Sequence, residues 1–232
     1  MSDKKIIIIG NSPTITSSKL GKVIDEFETI VRFNNFVTDG YEQFVGSKTD
    51  IWAIGTSSSI FAISPDDFRE VWYKSSTPQT KLEAKFKGRI PTEKMNLLLD
   101  PPYDFNLEGL DTSNPSTGFR AIMTALQRYE TVTVHGFIFF QETEGKFFRH
   151  YFGSDHQHVF YKKNIQSGVW RDKKMLDDIN EAIKKNTGVA FGKHHDGRSE
   201  LRAVQHLNSQ GRISFLRSDD ITEEFFNKYK KE

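Results

Sequence analysis

Histidines are concentrated in the second half of the chain, where they could carry out proton transfer. Five of the seven lie in one stretch, at His150, His156, His158, His194 and His195. Because imidazole titrates nearest neutrality, this stretch is the candidate source of a general base. His195 is followed five positions later by Glu200, at the start of an amphipathic segment. A carboxylate there could support the imidazole or stabilise the start of a helix, and the spacing alone leaves both roles open.

A zinc or iron site is the alternative interpretation of the same stretch. His150, His156 and His158 lie close to Asp155, and imidazole and carboxylate are suitable metal ligands. However, only the HQH pair at 156–158 would place two rings on the same side of an extended segment, and no third and fourth ligand is spaced convincingly with that pair. We therefore expect a polar loop beside a site, with no metal and no cofactor.

Two further polar segments follow apolar runs. In the first, Asn11 and Ser12 come directly after the run IIIIG at 6–10. A glycine-containing turn after a strand can bind a phosphate through its backbone N–H groups. No Gly-Lys-Ser/Thr follows, and the three-glycine dinucleotide spacing is missing, so the sequence does not favour ATP or NAD.

The second polar segment is NPSTG at 114–118, at the start of an amphipathic run. It places Ser116, Thr117 and Gly118 at a predicted helix N-terminus. Hydroxyl groups and free amides in this position can cap the helix or bind an anion attracted by its dipole. Both roles remain open from the sequence.

The elements that must position these residues alternate between strand and helix. Short apolar runs predict strands at 5–9, 29–34, 50–55, 95–100, 131–137 and 212–216. Helical spacing of apolar residues predicts helices over 116–129 and from about 199 onward. This alternation predicts an α/β fold with a mostly parallel, doubly wound sheet, and we expect 56–94 to be a surface excursion.

Ligands of such sheets bind beyond the carboxyl ends of the strands, where the strand order reverses. Asn11 and Ser12 follow the first predicted strand, and Asn34 ends the second. The polar segment from 141 to 158 follows the fifth. We therefore expect one site at this edge of the sheet.

Composition narrows the class of protein. With 232 residues, 36% hydrophobic and 27% charged, the chain suits one domain spanning 1–232. Its 32 basic and 31 acidic residues nearly cancel, so the composition does not indicate the excess of positive charge that is typical of proteins that bind nucleic acid. No apolar run reaches the length needed to span a membrane. Cysteine is absent, and the start has no secretory pattern. We expect a cytoplasmic protein without a membrane span.

In this order, four blocks of the sequence resemble the four motifs of the animal-type sialyltransferases (glycosyltransferase family 29). The large motif is matched by 6–12 with 20–50, and the small motif by 114–137. The third is matched by HYFG at 150–153, and the very small motif by His195 and Glu200. The chain resembles the bacterial family 42 sialyltransferases more loosely. The missing cysteines and membrane anchor favour a bacterial or viral form.

The resemblance implies a role for each candidate residue. Residues implied to bind the donor are Asn11, Ser12, Asn34, Ser116, Thr117 and Gly118. His195 would be the general base and His150 would contact the donor phosphate, a role that His156 or His158 could take instead. Glu200 would support His195. The resemblance also implies a single Rossmann-like, GT-A-like domain, in which 154–192 is an inserted lid or acceptor-side segment.

The implied activity is an inverting, metal-independent glycosyltransferase. It would move sialic acid from its cytidine monophosphate (CMP) ester to a hydroxyl group of an oligosaccharide or glycolipid. Transfer of 3-deoxy-manno-octulosonic acid (Kdo) from CMP-Kdo is an alternative, because the two donors share a carboxylate and a deoxy carbon. A noncatalytic module that binds a nucleotide or a glycan is a further alternative on the same fold.

Overall fold

The computed structural model describes residues 5–55, 68–74, 94–98, 115–139, 151 and 197–217. These residues include the strands β1 (Ile6–Ile9), β2 (Thr29–Phe33), β3 (Ile51–Ile54), β4 (Glu70–Lys74), β5 (Met95–Leu98), β6 (Val132–His135) and β7 (Ile213–Phe215). They also include the helices α1 (Gly21–Asp25), α2 (Glu42–Val45), α3 (Thr117–Leu126) and α4 (Gly197–Ser209), and a 3-10 turn at Pro13–Ser17. Every described strand pairs in parallel with its neighbours.

The strand order is β5-β4-β3-β2-β1-β6-β7. The chain therefore builds outward from β1 to β5, then returns to place β6 on the other side of β1. Ile8, for example, pairs with Val31 on one side and with Val134 on the other. This reversal is the topological switch point of a doubly wound sheet, which confirms the predicted fold class.

The four isoleucines of β1 explain why the sheet is covered on both faces. Successive side chains of a strand point to opposite faces. Ile6 and Ile8 pack in one core cluster with residues of α3 and α4, whereas Ile7 and Ile9 pack in another with residues of α1, α2 and the 3-10 turn. A continuous apolar run is the expected signature of a strand buried in this way.

One strand lies in a segment that we expected to be a surface excursion. β4 falls within 56–94 and sits between β3 and β5, with the Trp72 side chain fully buried. The expectation is therefore wrong for 68–74. Val71, Trp72 and Tyr73 favour a strand, but this apolar run is only three residues long and is flanked by Glu70 and Lys74, which makes it easy to miss when neighbouring strands are not known.

The start of α3 and the end of α4 lie where their sequences predict. Ser116 caps α3, because its hydroxyl accepts a hydrogen bond from the Phe119 N–H at 3.1 Å. After α4, Gly211 adopts a positive φ of 70° and its N–H bonds the Asn208 carbonyl. No helix within the described residues has the length and apolar character needed to cross a membrane. The predicted lid at 154–192 lies outside the described residues.

Candidate functional site

Asn11 connects the loop after β1 to the loop after β2. Its Nδ2 group donates to the Phe33 carbonyl at 3.3 Å and to the Asn35 carbonyl at 2.9 Å. These two bonds use both N–H groups of the amide, which fixes its orientation. Asn11 is only 6% exposed, yet its Oδ1 atom has no hydrogen-bond partner among the described residues. Asn11 therefore offers the site an acceptor.

Asn34 is held in a left-handed conformation at the end of β2. Its φ is 52°, a region that asparagine tolerates better than most residues. Its N–H bonds the Ala53 carbonyl, and its own carbonyl accepts from the Trp52 indole, each at 2.8 Å. Strain of this kind persists where surrounding contacts fix it, often at functional sites.

The side chain of Asn34 has the opposite polarity to that of Asn11. Its Oδ1 atom accepts the Gly55 N–H at 2.8 Å, which identifies the other amide atom as Nδ2. Within the described part of the chain, Nδ2 has no protein acceptor. The two asparagines thus present one acceptor and one donor group at the carboxyl edge of neighbouring strands.

Gly55 brings Asn34 and α3 together. A Cβ atom at Gly55 would lie 3.1 Å from Asn34 Oδ1 and would overlap Thr117 Oγ1. Only glycine lets the two polar side chains approach the end of β3 in this way. Thr117 is the first residue of α3, so its hydroxyl lies at the positive end of the helix dipole. Gly118 is buried beside the rings of Phe33 and Phe137.

The two predicted serines already have local partners. The Ser12 hydroxyl caps the 3-10 turn, accepting the Thr14 N–H at 3.2 Å and lying 2.8 Å from the Thr14 hydroxyl. The Ser116 hydroxyl caps α3 and also donates to Glu200. Their hydroxyl groups hold the ends of elements, while Asn11, Asn34 and Thr117 have polar atoms without a described partner.

Glu200 holds the start of α3 from the first turn of α4. Its Oε1 atom accepts the Ser116 N–H at 2.6 Å, and its Oε2 atom accepts the Ser116 hydroxyl at 2.7 Å. Glu200 is 4% exposed, and its charge lies near the buried Arg120, where burial lowers and Glu200 raises the pKa of the guanidinium. We call this arrangement the Glu200–Ser116 clamp.

A second carboxylate clamp lies at the opposite, amino-terminal edge of the sheet. Asp25, at the end of α1, accepts the Ser47 N–H and hydroxyl, each at 2.9 Å, and the Lys48 N–H at 3.0 Å. Burial acts to raise the pKa of Asp25, but the bonds from Lys48 and Ser47 outweigh it and leave the pKa below 3.8. We call this arrangement the Asp25–Ser47 clamp.

Arg32 holds the same loop from inside the protein. Its guanidinium donates to the carbonyl groups of Val45, Gly46 and Lys48 and to the Thr49 hydroxyl. The side chain is 1% exposed, and this burial lowers its pKa to about 10. The carboxylate therefore binds the amides of the loop and the guanidinium binds its carbonyls.

Tyr151 is the one described residue of the HYFG motif. Its N–H donates to the Asn11 carbonyl at 2.9 Å. Its hydroxyl accepts the Val37 N–H at 3.1 Å and donates to the Val37 carbonyl. Its ring packs edge-on against Tyr41, with the centroids 5.3 Å apart. Burial raises the pKa of Tyr151 to about 12, so the hydroxyl is protonated near neutral pH.

Several predicted residues lie outside the described part of the chain. They are His150, His156, His158 and His195. Among the described residues, no group of three acidic or histidine side chains could hold a metal ion. Sequence analysis did not identify Gly55 or Tyr151 as site residues. The terminal glycine of DIWAIG and the second letter of HYFG were the available signals.

Comparison with known families finds one matching family model. It is that of glycosyltransferase family 29 (sialyltransferase), and it matches residues 3–88 and 102–182, well over half of the chain. Asn11, Asn34, Ser116 and Tyr151 fall inside the matched residues, whereas Glu200 follows them.

Curated relatives belong to the same group. The chain is 25% identical over 236 residues to the Gallus gallus CMP-N-acetylneuraminate-beta-galactosamide-alpha-2,3-sialyltransferase 1. This match covers 93% of the chain and 59% of the relative. It is also 25% identical to the Rattus norvegicus beta-galactoside alpha-2,6-sialyltransferase 2, covering 86% of the chain and 42% of that relative. The chain therefore spans about half the length of these two proteins.

Solved structures share the fold. A crystal structure of a mammalian sialyltransferase in complex with Gal-beta-1-3GalNAc-ortho-nitrophenol matches with a TM-score of 0.55 at 21% identity. The match covers 93% of this chain and 70% of that one. It extends the likeness in fold over almost the whole chain.

Proposed function

Because this chain belongs to glycosyltransferase family 29, the sialyltransferases, we propose that it transfers sialic acid from CMP-sialic acid to a hydroxyl group of a glycan. The curated relatives are named as sialyltransferases that act on galactosides or galactosamides. A galactose-terminated oligosaccharide is therefore the acceptor class that we would test first.

The opposite polarity of Asn11 and Asn34 is the observation that carries the proposal. CMP has both kinds of group that these side chains require. Its ribose hydroxyls can donate to Asn11 Oδ1, and its phosphate oxygens can accept from Asn34 Nδ2. A site with two acceptors would repel a phosphate, whereas this pair could bind a hydroxyl group through Asn11 and a phosphate through Asn34.

The start of α3 adds an attraction for negative charge. The donor carries two anionic groups, the phosphate and the sugar carboxylate. The Thr117 hydroxyl lies close to Asn34 across Gly55, and the first amides of α3 are at the positive end of the helix dipole. The Glu200–Ser116 clamp uses the Ser116 N–H and hydroxyl, so the ligand would meet Thr117 and Gly118.

The proposed chemistry uses His195 as the general base. His195 precedes the first residue of α4 by two positions, and α4 is bound to the start of α3 through Glu200. In the proposed step the imidazole takes the proton of the acceptor hydroxyl, whose oxygen attacks the anomeric carbon. The bond from that carbon to the phosphate oxygen breaks with inversion, and CMP leaves with the bonding electrons. His150 would stabilise its phosphate, without a metal ion.

Calorimetric titration with CMP, uridine monophosphate and adenosine monophosphate, without added metal, tests the donor site. We expect selective binding of CMP. Equal binding of all three nucleotides, or binding of none, would contradict the proposal.

The Asn34→Asp variant tests the polarity argument. The aspartate can still accept the Gly55 N–H, but it replaces the amide donor with a negative charge facing the phosphate. We expect at least a tenfold, roughly 1.4 kcal/mol, loss of CMP affinity. Asn208→Asp at the end of α4 adds the same charge and loses the bond from Nδ2 to the Ile213 carbonyl, away from the site, so the folded variant should bind CMP as the wild type does. Equal affinities in both variants would rule out this orientation of the donor.

Transfer assays then test the reaction. Incubation of the protein with CMP-sialic acid or CMP-Kdo and a galactose-terminated acceptor should give transfer from the former. His195→Ala should abolish transfer while CMP affinity stays within a few fold, because a base acts mainly in the transition state. Activity should survive EDTA. Binding without transfer from either donor would favour the noncatalytic module instead.

A further inference from the structure

Tyr151 connects the two loops that carry the site asparagines. Its backbone N–H bonds the carbonyl of Asn11, in the loop after β1. Its hydroxyl bonds both the N–H and the carbonyl of Val37, three residues after Asn34. A single side chain thus satisfies both polar groups of Val37, more than one hundred positions away in the chain.

The loop after β2 needs such support because Asn34 bends it away from the sheet. A left-handed asparagine directs the chain out of β2, and residues 36–38 form no regular structure. Asn11 holds the first part of this loop through the carbonyls of Phe33 and Asn35. Tyr151 holds the next part through Val37. These contacts together tie the loop on both sides of Asn35.

The position of the Tyr151 ring makes this contact rigid. Tyr151 is 7% exposed and packs in the core cluster that contains Ile7, Ile9 and Val45. Its hydroxyl lies close enough to the buried Arg32 for the two groups to interact electrostatically. A buried phenol with two backbone partners cannot leave without exposing both of them unpaired.

We propose that Tyr151 is a positioning residue for nucleotide binding, which holds the Asn34 loop against Asn11 so that the acceptor and donor atoms of the two asparagines keep their spacing. This inference rests on the proposed function, since the nucleotide is the ligand that the spacing would serve. Tyr151 itself need not touch the ligand. Its hydroxyl acts through Val37 and the loop.

Tyr151→Phe tests the inference, because it removes only the hydroxyl and leaves the ring and the backbone bond to Asn11. Tyr129→Phe is the matched control. Its hydroxyl bonds Thr29 at 3.3 Å, at the amino end of β2 and away from the site. Two quantities are measured in each variant under conditions where both are folded: hydrogen exchange of the peptide covering 34–38, and calorimetric affinity for CMP.

We expect Tyr151→Phe alone to speed exchange over 34–38 and to weaken CMP binding at least about fivefold. Unchanged exchange would overturn the inference whatever the affinity. Faster exchange with unchanged affinity would overturn it too, because the hydroxyl would then only stabilise the loop. If the wild type binds no CMP, the proposed function fails. Exchange over 34–38 that is unchanged in Tyr151→Phe would separately show that the Tyr151 hydroxyl does not hold the loop.

Discussion

The two carboxylate clamps use the same chemistry at opposite edges of one sheet. In each, a single carboxylate accepts the N–H and the hydroxyl of one serine. The Asp25–Ser47 clamp joins a half-buried carboxylate to an exposed serine in the loop before β3, whereas the Glu200–Ser116 clamp joins a buried carboxylate to a half-buried serine at the start of α3. The same motif therefore supports the scaffold in one place and the site in the other.

Burial explains why the two clamps should differ in strength. Hydrogen bonds to a charged group are stronger away from water, and a buried donor left without its partner is costly. Around Asp25, water can replace a lost bond. Around Glu200, it cannot do so without disturbing α3 and α4. The clamp whose hydrogen bonds water cannot replace is therefore the one at the candidate site.

Replacing each carboxylate by the amide of the same shape should give the largest difference between the two clamps in the free energy of unfolding. Glu200→Gln has one acceptor oxygen for two donors, so either the N–H or the hydroxyl of Ser116 loses its acceptor, and the substitution also removes the charge beside Arg120. We expect a loss of about 3 kcal/mol in the free energy of unfolding, together with weaker CMP binding. Asp25→Asn, the matched control, should lose less than about 1 kcal/mol. Urea unfolding measures both, and equal losses would refute the contrast.

Substitution of Gly55 at the candidate site and of Gly46 beside Asp25 gives a second test, which distinguishes an effect on CMP binding from an effect on stability. Gly55→Ala would displace the Thr117 hydroxyl and crowd Asn34, so we expect CMP affinity to fall about tenfold with a smaller loss of stability. Gly46 adopts φ 73° and ψ 171°, a region nearly restricted to glycine, and the Cβ atom of an alanine there would lie 2.5 Å from Asp25 Oδ1.

The Gly46→Ala variant should therefore be destabilised by about 2 kcal/mol while binding CMP normally when folded. Thermal unfolding and calorimetry distinguish these two outcomes. If Gly55→Ala kept its affinity, or if Gly46→Ala lost it, the assignment of the two edges to site and scaffold would be wrong.

The smallest effect concerns pH. Hydrogen bonds from the loop lower the pKa of Asp25 in the folded protein below its usual 3.8. The stabilisation from Asp25 is therefore complete at neutral pH, begins to decrease as the pH approaches 3.8 and is lost as the pH falls through the lower, folded pKa. The difference in stability between the wild type and Asp25→Asn should shrink between about pH 5 and about pH 3. A difference that grows on acidification would contradict this assignment.

The fold could be predicted because most of its strands have a recognisable apolar pattern within their own few residues. The run Ile6–Ile9 and the helical spacing of Phe119, Ile122 and Leu126 identify buried elements without reference to their neighbours. β4 was not predicted because its apolar run is only three residues long and is flanked by charged residues. Its burial depends on β3 and β5, which no local pattern describes.

The site was less predictable, since its residues are brought together over long distances. Asn11 and Asn34 could be singled out as candidates because they follow strands, but their opposite polarity depends on the carbonyls of Phe33 and Asn35 and on the N–H of Gly55. Ser116 was found as a helix start, yet its partner Glu200 lies 84 positions away. Spacing along the chain does not encode such contacts.

The pairing of β1 has a consequence for how the protein forms during synthesis. Residue 7 pairs with residue 133, so one edge of β1 stays unpaired until β6 has been synthesised. Until then, four adjacent isoleucines border an unpaired strand edge, which is a template for aggregation. The same strand that places Asn11 at the switch point thus exposes an edge prone to aggregation until β6 pairs with it.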